Sequence, residues 1–207
     1  MINSYKIYYD DSFVLVSNDR EQMNEKFAKV IINENDIADF LRNPPFYSGN
    51  SAGHDGTLIY TEKPVWVLEI LRKNVKIVIA GGGIVFNERD ELLMIHRKGK
   101  WDLAKGKVEA GEKIVDGAMR EVEEETGVHI ESVAKQPIVT YHAYILKEKK
   151  CLKETSWFEM KARPGQDKLV PQTEEQIDEV RWVKKGDLPD YEEGSYPMIW
   201  DLIKQIK

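Results

Sequence analysis

The chain has 207 residues, 42% of them hydrophobic, which is enough to bury a core and to build one full domain with a smaller companion. Its 36 acidic residues outweigh 30 basic ones for a formal charge of −6. That balance, with no long basic run, argues against binding to a nucleic-acid backbone. A single cysteine, Cys151, excludes an internal disulfide and fits a reducing cytoplasm. The opening residues read as no signal peptide, and the longest apolar run, 77–86, is too short to span a bilayer.

In chain order, 6–9 and 13–16 read as a hairpin around Asp10 and Asp11, and 21–26 and 34–41 as short helices. Residues 43–56, rich in Pro, Gly, Ser and Asn, read as a loop, in which His54 and Asp55 are taken for turn chemistry rather than metal ligands. Residues 57–60 and 65–68 look like a second strand pair, the latter inside a strand-like run at 64–70. The pattern breaks at Arg72-Lys73-Asn74. Residues 1–72 are therefore expected to form a small α+β domain, without a recognisable motif, and 73–207 a second domain.

After the break, 76–86 and 92–96 flank Asn87-Glu88-Arg89-Asp90 and read as a hairpin. Gly81-Gly82-Gly83 lacks the full dinucleotide-loop spacing, and a strand follows where a helix should open. The densest chemistry is GKVEAGEKIVDGAMREVEEETGV, from Gly106 to Val128. A glycine loop there precedes a helix whose Glu121, Glu124 and Glu125, at i, i+3 and i+4, share one face. Their like charges repel unless a cation binds. Carboxylate oxygens suit hard cations, and Mg²⁺ held by a few carboxylates accepts phosphate oxygens in its remaining positions. Ile114, Val115, Ala118, Met119 and Val122 form the adjoining apolar stripe. Arg120 is placed to pair with Glu112 while leaving the metal-facing carboxylates free. Gly127 is placed to end the helix in left-handed geometry, and Gly106 and Gly111 to let backbone approach a ligand. Further on, 138–146, 156–161 and 179–183 read as strands, 147–150 as a polar turn and 196–206 as a closing helix.

Gly106, Glu112, Arg120, Glu121, Val122, Glu124, Glu125, Gly127 and Val128 fall on every defined position of the Nudix box, so the chain resembles the Nudix hydrolases over about 76–207. Ala104 departs from the pattern, since relatives often carry proline there. The resemblance implies an α+β chain: a Nudix α/β/α sandwich with a mixed β-sheet, preceded by the small N-terminal domain. It implies Mg²⁺, with Mn²⁺ as a substitute, held by Glu121, Glu124, Glu125, the carbonyl of Gly106 and a remote acid, for which Glu175 and its neighbour Glu174 are candidates. The implied reaction hydrolyses a phosphoanhydride in a nucleoside diphosphate derivative, with Glu121 or a downstream glutamate as base and Arg120 and Glu112 completing the catalytic set. Arg97, Lys105 and Lys107 are candidates for phosphate binding, and Trp101, Tyr141, His142 and Tyr144 for base or ribose contacts, with core packing as the alternative for each aromatic. Tyr144 stands where ADP-ribose hydrolases carry proline, which favours dinucleoside polyphosphates or nucleoside triphosphates. Diphosphoinositol polyphosphates and nucleotide sugars are the alternatives. A non-catalytic ligand sensor is the rival class, against which the intact acid set speaks. The expected partner is a nucleotide-type small molecule, with no nucleic acid and no membrane, in a cytoplasmic protein for which a homodimer is one candidate state.

Overall fold

The computed structural model describes residues 4–9, 12–24, 27, 29–31, 33–42 and 56–206. In chain order the elements are β1 (Ser4–Tyr9), β2 (Ser12–Ser17), a 3₁₀ turn (Arg20–Asn24), β3 (Lys29–Ile31), α1 (Glu34–Arg42), β4 (Thr57–Tyr60) and α2 (Pro64–Asn74). Then follow β5 (Lys76–Phe86), β6 (Leu92–Arg97), β7 (Lys100–Asp102), β8 (Lys105–Lys107), α3 (Ile114–Thr126), β9 (Ile130–Val133), β10 (Ile138–Leu146) and β11 (Lys149–Ala162). A 3₁₀ turn (Thr173–Glu175), β12 (Ile177–Val183), a further 3₁₀ segment (Lys185–Tyr191) and α4 (Pro197–Ile203) complete the chain.

Two compact units emerge, and their boundary differs from the one expected at 72/73. The first takes Met1–Val78 together with Thr140–Glu154, and the second takes Ile79–Val139 and Thr155–Lys207. The physical reason lies in the first unit's core. Tyr141 and Ala143 of β10 and Leu152 of β11 pack with Ile7, Val14, Val16 and Ile59 beneath Val67, Leu68 and Leu71 of α2. β1 pairs with β10 in parallel, Ile7 opposite Tyr141, and with β2 antiparallel; β4 lies parallel to both β2 and β3. A hairpin distant in sequence thus completes this sheet.

Within the first unit, the strand expected at 64–70 is a helix. Pro64 occupies its first turn, where a missing N–H costs nothing, and Val67, Leu68 and Leu71 recur at helical spacing on the buried side. The β-branched and aromatic content of PVWVLEI misleads because tertiary burial overrides weak propensity. The helix expected at 21–26 is a 3₁₀ turn over Arg20–Asn24, with 25 and 26 outside the described residues. The loop expected at 43–56, with His54 and Asp55, lies outside them as well, Gly56 excepted.

In the second unit the sheet runs β12-β6-β5-β11, with β7 on β6, β8 on β5 and β9 on β11. Strand alternation sends Ile84, Phe86, Leu92 and Met94 to one face, under Ile199, Leu202 and Ile203 of α4. Val85, Leu93 and Ile95 go to the other, under Ala118 and Val122 of α3. The result is an α/β/α sandwich. Gly81 lets α3 sit close: a Cβ there would stand 2.8 Å from the backbone N of Ala118 and O of Ile114.

Candidate active site

β8 and α3 carry the box, and the loop between them brings backbone and acids together. Gly106 lies directly against Glu121: a Cβ at Gly106 would fall 1.8 Å from Glu121 Oε2, so only glycine leaves space for that carboxylate. Gly111 has a different task. Nothing lies within 4 Å of its side-chain direction, and φ of +84° is what requires glycine there. Gly127 ends α3 with φ of +72°, and its N–H donates to Glu123 O.

Glu112 anchors the loop. It accepts from Glu109 N–H (2.8 Å) and from Arg120 Nε (3.0 Å) and Nη2 (3.1 Å). The Arg120 guanidinium holds its carboxyl below the usual carboxylate range, helped by the Glu109 amide. The same Arg120 donates from Nη1 to Glu121 (2.8 Å) and to Glu124 (2.9 Å), and from Nη2 to Lys107 O (3.2 Å). This corrects the expectation that Arg120 leaves those carboxylates free. Clustered like charges attract the nearest cation, and Arg120, one residue before Glu121 and four before Glu124, reaches both.

Glu125 is the buried member, 1% exposed. Its Oε2 accepts the Lys105 N–H at 2.9 Å, and Arg97 Nη1 stands 3.6 Å from Oε1. Burial pushes its carboxyl up to about 7, against the pull of Lys105 and Arg97, with Asp102 adding to the rise. Arg97, at the end of β6, also donates to Glu175 Oε2 (2.7 Å) and Glu175 O (3.1 Å). The remote acid candidate is therefore delivered next to Glu125 by an arginine. Among the described residues, Arg97 makes no such tie to Glu174.

Lys105 corrects another expectation. Its ammonium is buried, bonded to Asp102 and set over the Trp157 ring, so it contributes its backbone N–H to Glu125 and offers no cation to phosphates. Asp102 was not singled out from the sequence, because an acid in a short strand carries no spacing signal. Lys107 is exposed beside Gly106. Tyr144 lies on β10 in the other unit, its ring 5.7 Å from that of His142. Tyr141 is part of that unit's core. Trp101 packs between His96 (5.1 Å) and Tyr191 (5.0 Å), with the Arg181 guanidinium 5.2 Å from its ring. Core packing thus accounts for Tyr141 and Trp101.

A divalent cation fits this set by donor chemistry and by the Gly106 cradle for Glu121. Among the described residues, however, no three acidic, histidine or cysteine side chains converge on one point. Glu121 and Glu124 are turned to Arg120, and Glu125 to the Lys105 amide and Arg97. An open groove of about 470 Å³ is lined by Asp116, Met119, Arg120, Glu123 and Glu124, so of the three acids only Glu124 faces it.

A mixed-sheet sandwich with this box defines a class, and residues 76–202 match the model of the NUDIX domain. The chain belongs to the Nudix family. It is 42% identical over 76 residues to the 8-oxo-dGDP phosphatase NUDT18 of Mus musculus, covering 34% of this chain and 23% of that one. It is 32% identical over 123 residues to Nudix hydrolase 8 of Arabidopsis thaliana, covering 54% and 32% respectively. The chain thus spans less than half the length of the curated relatives it matches. Among solved structures, the MutT Nudix hydrolase of Burkholderia pseudomallei superposes with a TM-score of 0.50 at 20% identity, over 64% of this chain and 99% of that one, which supports the fold. No helix among the described residues is long and apolar enough to cross a membrane.

Proposed function

We propose that the protein is a Mg²⁺-dependent pyrophosphohydrolase that cleaves a phosphoanhydride bond in a nucleoside diphosphate derivative. The observation that carries this reading is the Gly106 cradle: a glycine whose missing side chain leaves room for the Glu121 carboxylate, on a strand leading into a helix with three acids on one face. Glu121, Glu124, Glu125 and the Gly106 carbonyl would hold the ion, with Glu175 as the remote acid. A divalent cation held there would supply water activation and neutralise charge developing on the phosphoryl group. Glu112 and Arg120 fasten the loop to α3, and the exposed Lys107 would supply positive charge toward phosphate oxygens. Dinucleoside polyphosphates and nucleoside triphosphates are the favoured substrates. The similarity to NUDT18, an 8-oxo-dGDP phosphatase, adds oxidised nucleoside diphosphates to the compounds worth testing.

The test is turnover of a panel of these compounds, with nucleotide sugars and diphosphoinositol polyphosphates as comparators, with Mg²⁺ and with chelator. We expect release of phosphate or mononucleotide only with the metal. Hydrolysis undiminished by chelator, or none by any member of the panel, overturns the reading.

A further inference from the structure

Arg97 sits between two carboxylates that come from different elements. Glu125 projects from α3 and is almost wholly buried, with its side chain 2% exposed; Glu175 ends a 3₁₀ turn, with its side chain 52% exposed. The guanidinium, 19% exposed, reaches Glu175 Oε2 at 2.7 Å and Glu125 Oε1 at 3.6 Å. Its Nε is committed to the Glu175 carbonyl at 3.1 Å, so the fork is set by the backbone of the turn and not by one side chain alone. Two further bonds fasten the same segment. Lys98 N–H donates to Gln176 O (3.4 Å), and Gln172 N–H donates to the Glu125 carbonyl (3.2 Å). The turn is thus tied to Glu125 twice, once through backbone, which a ligand cannot replace, and once through Arg97, which a cation can.

Arg97 offsets part of the negative charge that Glu125 and Glu175 can carry, and Glu125 Oε2 is taken by the Lys105 amide. An incoming dication at Glu125 must occupy space beside Oε1 that the Arg97 fork shares, and the like charges repel at that range.

We propose that Arg97 is a built-in counter-ion of the carboxylate site, holding Glu175 beside Glu125 and giving way when a divalent cation binds Glu125. The inference rests on the metal-site reading above. Its consequence is that metal affinity is lowered by the fraction of molecules in which the latch is closed. It also makes Arg97 a positioning residue for the turn that carries Glu175.

The test uses the full chain and Mn²⁺ alone, titrated by calorimetry or by the loss of the free-ion paramagnetic signal, with amide hydrogen exchange recorded without metal. Arg97→Gln is expected to bind Mn²⁺ about fivefold more tightly than the parent, the scale of a partly exposed ion pair removed from competition. Arg97→Lys, which keeps the charge but reaches one carboxylate at a time, falls between them. In a Glu175→Gln background the gain from Arg97→Gln shrinks, because the latch has lost its anchor. Exchange at the amides of Glu175 and Gln176 accelerates in metal-free Arg97→Gln, as the turn loses its side-chain tether.

A parent that binds Mn²⁺ while both Arg97 variants bind equally or more weakly overturns the counter-ion role and leaves the metal site standing. An undiminished gain in the Glu175→Gln background overturns the latch, since simple charge removal then accounts for the effect. A parent that takes up no Mn²⁺ overturns the metal-site reading and this inference with it.

Discussion

Glu125 combines burial, a backbone donor and two nearby cations, and its environment favours the protonated acid. Its folded pKa of about 7 lies above the ordinary 4.5, so folded metal-free protein holds a proton that the unfolded chain has lost between those values. Stability is therefore full below about 4.5 and falls as pH rises through about 7, by on the order of 3 kcal/mol. Thermal melts of the metal-free protein across this range should show the decline, and Glu125→Gln should flatten it while abolishing turnover. Glu124→Gln should also abolish turnover. Its carboxylate is paired with Arg120 at i+4 and is 48% exposed, so the substitution changes stability by no more than about 0.5 kcal/mol. Gly106→Ala separates fold from chemistry. The atom it meets is the far end of the Glu121 side chain, which can swing away, so the melting temperature should hold while activity drops about a hundredfold from the displaced ligand. A Gly106→Ala protein with parental activity would remove the cradle from the argument.

The box helix is held in place by glycines on both sides, and these have different costs. At Gly81 the obstacle is the backbone of α3 itself, at 2.8 Å, so Gly81→Ala must push the helix off β5 and should cost about 2 kcal/mol by chemical denaturation. At Gly127 the obstacle is φ of +72°, together with Val170 Cβ at 3.0 Å, and alanine should cost about 1 kcal/mol. Loss of that cap carries further. Val170 N–H and Gln172 N–H donate to the carbonyls of Thr126 and Glu125, so the segment leading to Glu175 is itself part of the way α3 ends. The periodicity of 114–122 was legible because one amphipathic helix packs on one sheet face. The 64–70 run was not, because seven residues, all but Glu69 apolar, fit a strand or a buried helix equally until their neighbours are known.

Deleting residues 1–72 tests the organisation of the whole chain. Sequence order makes the box domain read as separable, yet the first unit's core includes Tyr141, Ala143 and Leu152 from β10 and β11. A fragment of residues 73–207 would keep those three side chains and lose Ile7, Val14, Val16, Ile59, Val67, Leu68 and Leu71, which cover them. Low soluble yield, and binding of a hydrophobic dye by what remains soluble, are expected from the exposed apolar surface. A monomeric, cooperatively melting fragment with undiminished yield would show that the hairpin needs no cover.

The sequence by itself determined the family, the box helix, its apolar stripe, the acids on its neighbouring face and the glycines that begin and end it, because each depends on spacing within a few turns of chain. Tertiary structure alone decided which cation each acid meets. Arg97 and Glu175 are 78 residues apart, and Arg72 and Glu154, paired within the first unit, are 82 apart. No local pattern announces such pairs. It also decided that Lys105 turns inward to Asp102, since a lysine in KGK reads as a free surface charge until the strand's buried face is known. The hairpin's place in the first unit follows the same rule: strand pairing across more than 130 residues is a matter of complementary faces, which sequence order does not encode.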